Sequence, residues 1–263
     1  MKESLLSLLI LVSGITVHAK MVTKTVSYEH NGTTLEGYLA YDDSTTDKGK
    51  VPGIIVFPEW WGLNDYIKGR ADQLAAMGFV AFAADMYGGG QSTTEPAKAK
   101  ELAGQFYGKP LMAERAQAGL DQLLKTGLVD KDKVAAIGFC FGGSTALALA
   151  YSSAPVAGVV TFHGGLIPVP AGAAPTIRAK FLILHGALDP LVNKETVDKF
   201  LQSMNDAKLD FQFTEYSGAV HAFTNPNADK AHAAGLNGVA YNAEAATRSW
   251  NQMKMFFGEL FGQ

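Results

Sequence analysis

Four side chains with the chemistry of acyl transfer fall just beyond apolar runs: Glu59, Cys140, Asp189 and His221. Cys140, the single cysteine, lies in Gly138-Phe139-Cys140-Phe141-Gly142-Gly143, directly after Val134-Ala135-Ala136-Ile137. An apolar run, a small-residue corner and then residues 144–151 predict a strand, a sharp turn and a helix. Such a turn lifts a nucleophile above a sheet, and glycines two positions to either side relieve the crowding. A thiol attacks acyl carbon as its thiolate, and its free pKa of about 8.5 calls for a base or a positive environment. His221 can shuttle that proton, with Asp189 orienting the ring and stabilising the imidazolium. Backbone N–H groups of Phe141 and of the loop after Phe57, at Trp60, are the expected oxyanion donors.

Each residue also has a plainer reading. A lone buried cysteine can act as a small hydrophobe. Asp189 precedes Pro190 and can simply start a turn. His163 and His185 end strands as His221 does, and they are its serious rivals. His185 comes before Asp189, however, and breaks the order nucleophile, acid, histidine that α/β-hydrolases share.

Those positions need elements to hold them. Residues 23–30 and 34–41 are β-prone and meet at Asn31-Gly32, a hairpin signal. Residues 42–50 read as a polar loop, and 51–57 as a buried strand. Strands are then expected at 79–84, 134–137, 156–162, 181–185 and 211–216. Helices are expected at 64–77, capped by Asn64, and at 95–106, 111–125, 194–207 and 242–261. Strands alternating with helices mean a mostly parallel sheet covered on both faces, with the first hairpin as an antiparallel edge. In such sheets ligands bind at the carboxyl ends of the strands. Residues 168–175 form a loop beside the sheet, and 225–241 is long enough to cover the site.

With 263 residues, 48% hydrophobic and 18% charged, the chain has the composition of a globular protein. A net charge of −3 and scattered lysines and arginines give no surface for nucleic acid. Residues 1–19 read as a secretory signal, with Lys2, an apolar stretch over 5–12 and the cleavage site Val17-His18-Ala19. Residues 20–263 are then one domain, periplasmic or secreted, with no later membrane span. In an oxidising compartment the one cysteine has no partner within the chain. No metal cluster is evident, and Gly88-Gly89-Gly90 lacks the spacing and lysine of a phosphate loop, so no cofactor is expected.

Several segments together resemble the dienelactone hydrolase family, the cysteine branch of the α/β-hydrolases. They are Pro58-Glu59-Trp60-Trp61-Gly62-Leu63-Asn64, Ala84-Asp85-Met86-Tyr87, the cysteine motif, His185-Gly186-Ala187-Leu188-Asp189 and His221-Ala222-Phe223. The resemblance implies an α/β-hydrolase fold, a Cys140–His221–Asp189 triad, a thioacyl-enzyme and cleavage of small esters or lactones. It also gives Glu59 a role, as the carboxylate that takes the thiol proton when substrate rearranges the site. Read alone, Glu59 would be a surface carboxylate near a helix start. Members proper place two arginines to hold a substrate carboxylate; here Gly88-Gly89-Gly90 and Thr224-Asn225-Pro226 fill those places. Without that fork, bidentate carboxylate recognition is lost. Trp60, Trp61, Tyr87 and Phe223 fall on the mouth loops, and an apolar wall of these suits a neutral ester, lactone or thioester. From a different class, the alternative is a hydrolase-fold binding protein that no longer turns over substrate.

Overall fold

Successive residues Ile54, Ile55, Val56 and Phe57 are all fully buried, although they face alternate sides of their strand. That pattern requires helices on both faces of a sheet, and the structure supplies them. It is a computed structural model and describes residues 20–262; the secretory signal expected over 1–19 lies outside the described residues.

Eight strands form one sheet in the order β1-β2-β4-β3-β5-β6-β7-β8. They are β1 (Met21–His30), β2 (Thr33–Asp42), β3 (Val51–Phe57), β4 (Val80–Ala83), β5 (Val129–Phe139), β6 (Gly158–Phe162), β7 (Lys180–Gly186) and β8 (Phe211–Tyr216). From β4 to β8 every pairing is parallel. The hairpin β1–β2 joins antiparallel through β2 on β4, as the Asn31-Gly32 turn predicts. Asn31 and Gly32 both take positive φ (48° and 75°), which such a two-residue turn demands.

The helices are α1 (Asp43–Thr46), α2 (Asp65–Ala75), α3 (Pro96–Ala103), α4 (Leu111–Lys125), α5 (Phe141–Tyr151), α6 (Lys194–Asp206), α7 (Ala228–Ala233) and α8 (Ala243–Phe261). Ile55 and Phe57 pack with α4, α5 and α6 on one face. Ile54 and Val56 pack with α2 and α8 on the other. Asn64 caps α2, its side chain accepting the Ile67 N–H, and Asn242 caps α8 in the same way.

Two segments read as loops carry short helices. Asp42 caps α1 within 42–50 by accepting the Ser44 N–H, and α7 occupies part of 225–241. That second segment is fastened at its far end, where Val239 pairs with His221 as an isolated bridge. Strand β5 starts five residues before the expected 134, because Val129 already pairs with Val51 ahead of a register shift.

Candidate active site

Cys140 stands between β5 and α5 with φ 54° and ψ −114°, a backbone conformation that a non-glycine residue adopts only when its surroundings impose it. The surroundings do so from three sides. Its N–H donates to the Phe162 carbonyl at 3.1 Å, and its own carbonyl accepts from Gly143 (2.9 Å) and Gly165 (3.1 Å). Close approach explains the glycines. A Cβ on Gly138 would lie 1.9 Å from the Gly142 carbonyl oxygen, and one on Gly142 would lie 2.2 Å from that of Phe57. The thiol is free and half-buried at the carboxyl end of the sheet. Phe141 opens α5, where the first N–H groups have no partner inside the helix.

Asp189 and His221 follow β7 and β8, and their side chains meet: His221 Nδ1 lies 2.7 Å from Asp189 Oδ2, with both side chains buried. The other carboxylate oxygen, Oδ1, accepts the N–H groups of Leu191 (2.8 Å) and Val192 (3.1 Å). Turn-maker and ring-orienter are therefore one residue, each oxygen with its own task. Burial disfavours charge on His221, but the Cys140 thiolate and the Asp189 carboxylate outweigh it and push its pKa up to about 10.

Glu59 is not a surface carboxylate: it is 1% exposed. Burial pushes its pKa up to about 7 against the opposing influence of Asn225, His221 and Arg70. Its side-chain partner is Asn225, whose Nδ2 donates to Oε2. The amide's orientation is set because its Oδ1 already accepts the Asn227 N–H at 2.9 Å.

A model of the dienelactone hydrolase family matches residues 35–261. The chain belongs to that family. A solved dienelactone hydrolase-like promiscuous phosphotriesterase from metagenomic libraries is 44% identical, covering 91% of this chain and 98% of its own, with a TM-score of 0.86. A curated relative from Aquifex aeolicus, named "Putative carboxymethylenebutenolidase", is 29% identical over 88% of this chain and 96% of its own length. A dienelactone hydrolase structure from Klebsiella pneumoniae shares the fold at 22% identity and a TM-score of 0.74. The chain is accordingly a hydrolase of the dienelactone hydrolase type.

Within this member of the family the aromatic residues divide. Trp60 and Trp61 are half-buried, their rings 4.9 Å apart. Tyr87 is half-buried, its ring packed against Phe106 and Phe141 at 5.8 and 6.0 Å. Phe223 is not a pocket wall: it is fully buried against Tyr216 and His163 in the core under α8. Ala222 takes φ 59°, so the chain turns directly after His221 and sends Phe223 inward.

Neither rival histidine is paired with a carboxylate. His163 Nε2 pairs with Thr224 Oγ1 at 2.6 Å, and burial holds its pKa well down. His185 stacks by Phe213 at 5.6 Å, and burial also lowers its pKa. Two further residues emerge only in three dimensions. Tyr107 meets Phe141 edge-on at 5.6 Å and remains half exposed. Arg70 donates to the Thr224 carbonyl at 2.8 Å and lies 4.7 Å from the Trp250 ring. No spacing rule in the sequence marks either one.

Proposed function

We propose that this family member hydrolyses small uncharged esters and lactones through a thioacyl-enzyme on Cys140, in the periplasm or outside the cell. The observation that carries the reading is the 2.7 Å Asp189–His221 pair at the sheet edge where Cys140 stands on a strained turn. The thiolate attacks the acyl carbon, and the carbonyl electron pair moves to oxygen, which the Phe141 and Trp60 N–H groups stabilise. Removing one such donor costs roughly 3–4 kcal/mol of barrier. Collapse breaks the carbon–oxygen bond, and the leaving alkoxide takes the His221 proton. Water then attacks the thioester, His221 accepts its proton, and the carboxylic acid departs with the thiolate restored. Glu59, with a pKa near 7, takes the thiol proton whenever the cysteine starts as SH.

Substrate charge follows from where the arginines are spent. Arg70 is committed to Thr224, Gln73 and aromatic faces. Arg115 is committed to the Met86 carbonyl and His30. Neither offers a fork to a substrate carboxylate, which favours neutral lactones and esters. A phosphotriester is also uncharged, and the solved relative named for that activity makes it a second substrate class to assay. Export rests on the leader pattern of residues 1–19.

The test is turnover of a neutral activated ester, a lactone and a phosphotriester by the parent chain and Cys140→Ala. The variant is expected to lose at least about 10³-fold in rate while melting as the parent does. A mass increase by one acyl group on Cys140 should be trapped in the parent. Parent-like turnover by Cys140→Ala overturns the mechanism. Ligand retention with no burst of product favours the binding-protein alternative.

A further inference from the structure

The segment after β4 is folded around one buried carboxylate. Asp85, 1% exposed, accepts the N–H groups of Tyr87 (2.8 Å) and Gly88 (2.9 Å) on Oδ1. Its Oδ2 accepts those of Gly90 (2.8 Å) and Glu36 (3.0 Å). Four amides on one carboxylate make residues 85–90 a rigid turn tied to β2. Arg115 adds a bond to the Met86 carbonyl at 2.9 Å.

This turn braces a second loop. Gly62 N–H donates to the Glu59 carbonyl at 3.0 Å, so residues 59–62 form a β-turn with Trp60 and Trp61 in its middle. Tyr87 Oη donates to the Trp60 carbonyl at 2.9 Å. Thr93 N–H donates to the Trp61 carbonyl at 2.9 Å, and Gly62 pairs with Ser92 as an antiparallel bridge. Consecutive residues 60–62 are thus each held from the same side. The Trp60 N–H itself donates to no acceptor among the described residues.

The central peptide of a β-turn is the part free to rotate between turn types. Tyr87 grips the carbonyl of that peptide, the one joining Trp60 to Trp61, while the Trp60 N–H lies on the preceding peptide, whose Glu59 carbonyl accepts from Gly62. An oxyanion donor works only when it is aimed before the reaction starts. We propose that Tyr87 is a positioning residue for the oxyanion hole: by holding the Trp60 carbonyl while Gly62 holds that of Glu59, it locks both peptides that flank Trp60 and so the turn that carries the Trp60 N–H. The assignment rests on the acyl-transfer reading above and replaces the sequence-based expectation that Tyr87 lines the pocket.

The experiment uses Tyr87→Phe, which keeps the ring packed against Phe106 and Phe141 and removes only the hydroxyl. Two reactions of Cys140 are compared. Ester acylation develops an oxyanion; alkylation by iodoacetamide, a displacement at saturated carbon, develops none. The variant is expected to lose about tenfold in kcat for a neutral ester, a fraction of the loss from deleting a donor outright. KM should change less than about twofold by the same reasoning, because ground-state binding is untouched. Alkylation should proceed at the parent rate, with an unchanged melting curve. Gly62→Ala is the second variant: at φ 84° its Cβ would lie 2.2 Å from the Gln91 carbonyl oxygen, forcing the two loops apart. It should show the same split between acylation and alkylation. A raised KM with kcat intact would return Tyr87 to the pocket wall. Alkylation slowed in step with turnover would place its effect on the thiolate. Either result, or no change in Tyr87→Phe, overturns the assignment. A parent chain that alkylates but turns over no ester fails the acyl-transfer reading itself and takes the Tyr87 assignment with it.

Discussion

A carboxyl removed from water is costly to ionise. Burial does this to Glu59, and the hydrogen bond from Asn225 only partly offsets it, leaving a pKa of about 7 against an ordinary 4.5. Because the folded value lies above the unfolded one, the native state keeps a proton that the unfolded chain releases. The stability tied to that proton is complete below pH 4.5 and is lost as pH rises through about 7. Glu59→Gln mimics the protonated form. Above pH 7 it should exceed the parent in stability by on the order of 3 kcal/mol, and the gap should close below pH 4.5. Denaturant unfolding across that range checks this; a gap independent of pH would contradict it. Ester turnover should fall in the same variant, which would mark Glu59 as kept for reaction at the expense of stability. At this scale the sequence exposed the residues that end strands, because an apolar run followed by a polar side chain marks the edge. It did not expose Phe223, whose direction depends on the positive φ of Ala222. Nor did it expose Tyr107, Arg70 or the grip of Asn225 on Glu59, which are contacts between segments far apart in the chain.

Among the elements, β5 and α5 carry the tightest geometry. The helix is buried on nearly every side, so the turn that bears Cys140 cannot relieve a clash by moving outward. Gly142→Ala would set a Cβ 2.2 Å from the Phe57 carbonyl oxygen, and Gly138→Ala would set one 1.9 Å from that of Gly142. Either change should cost at least about 3 kcal/mol of unfolding free energy, since a clash with main chain is answered only by a backbone shift. Urea midpoints measure this, and a loss within about 0.5 kcal/mol, typical of exposed sites, would show that the corner is looser than its contacts imply. The alternation of strands and helices was legible because buried strands are continuous apolar runs. The start of β5 was not, because Asp130-Lys131-Asp132-Lys133 interrupts the run with four charges. Helix α1 was hidden for a related reason. It buries no residue, so it carries no apolar periodicity, and the Asp42 cap defines it instead.

For the whole molecule, a parallel sheet sends the carboxyl ends of β3, β5, β7 and β8 to one edge, which is why four residues spread over 59–221 reach one site. That edge carries two carboxyl groups, Glu59 and Asp189, on a chain of net charge −3, while Arg70 and Arg115 are bonded elsewhere. Neither of these two arginines offers a guanidinium fork to a substrate carboxylate. The kcat/KM for a neutral ester should therefore exceed that for its free-carboxylate analogue by about a hundredfold, the scale of burying one unpaired charge. A ratio near one, or a strong dependence of the neutral substrate on salt, would point to a cation supplied from elsewhere.

His221 is held at its own main chain: its N–H donates to Gly238 and its carbonyl accepts from Ala240. The strap of residues 222–242 is thus buckled through the main chain of His221, and through Asn225 to Glu59. Lifting the strap would disturb His221 and the partner of Glu59 together. Access and readiness then share one motion, and an opened molecule is also a disarmed one. An agent that wedges the strap open should therefore inhibit without ever touching the sulfur.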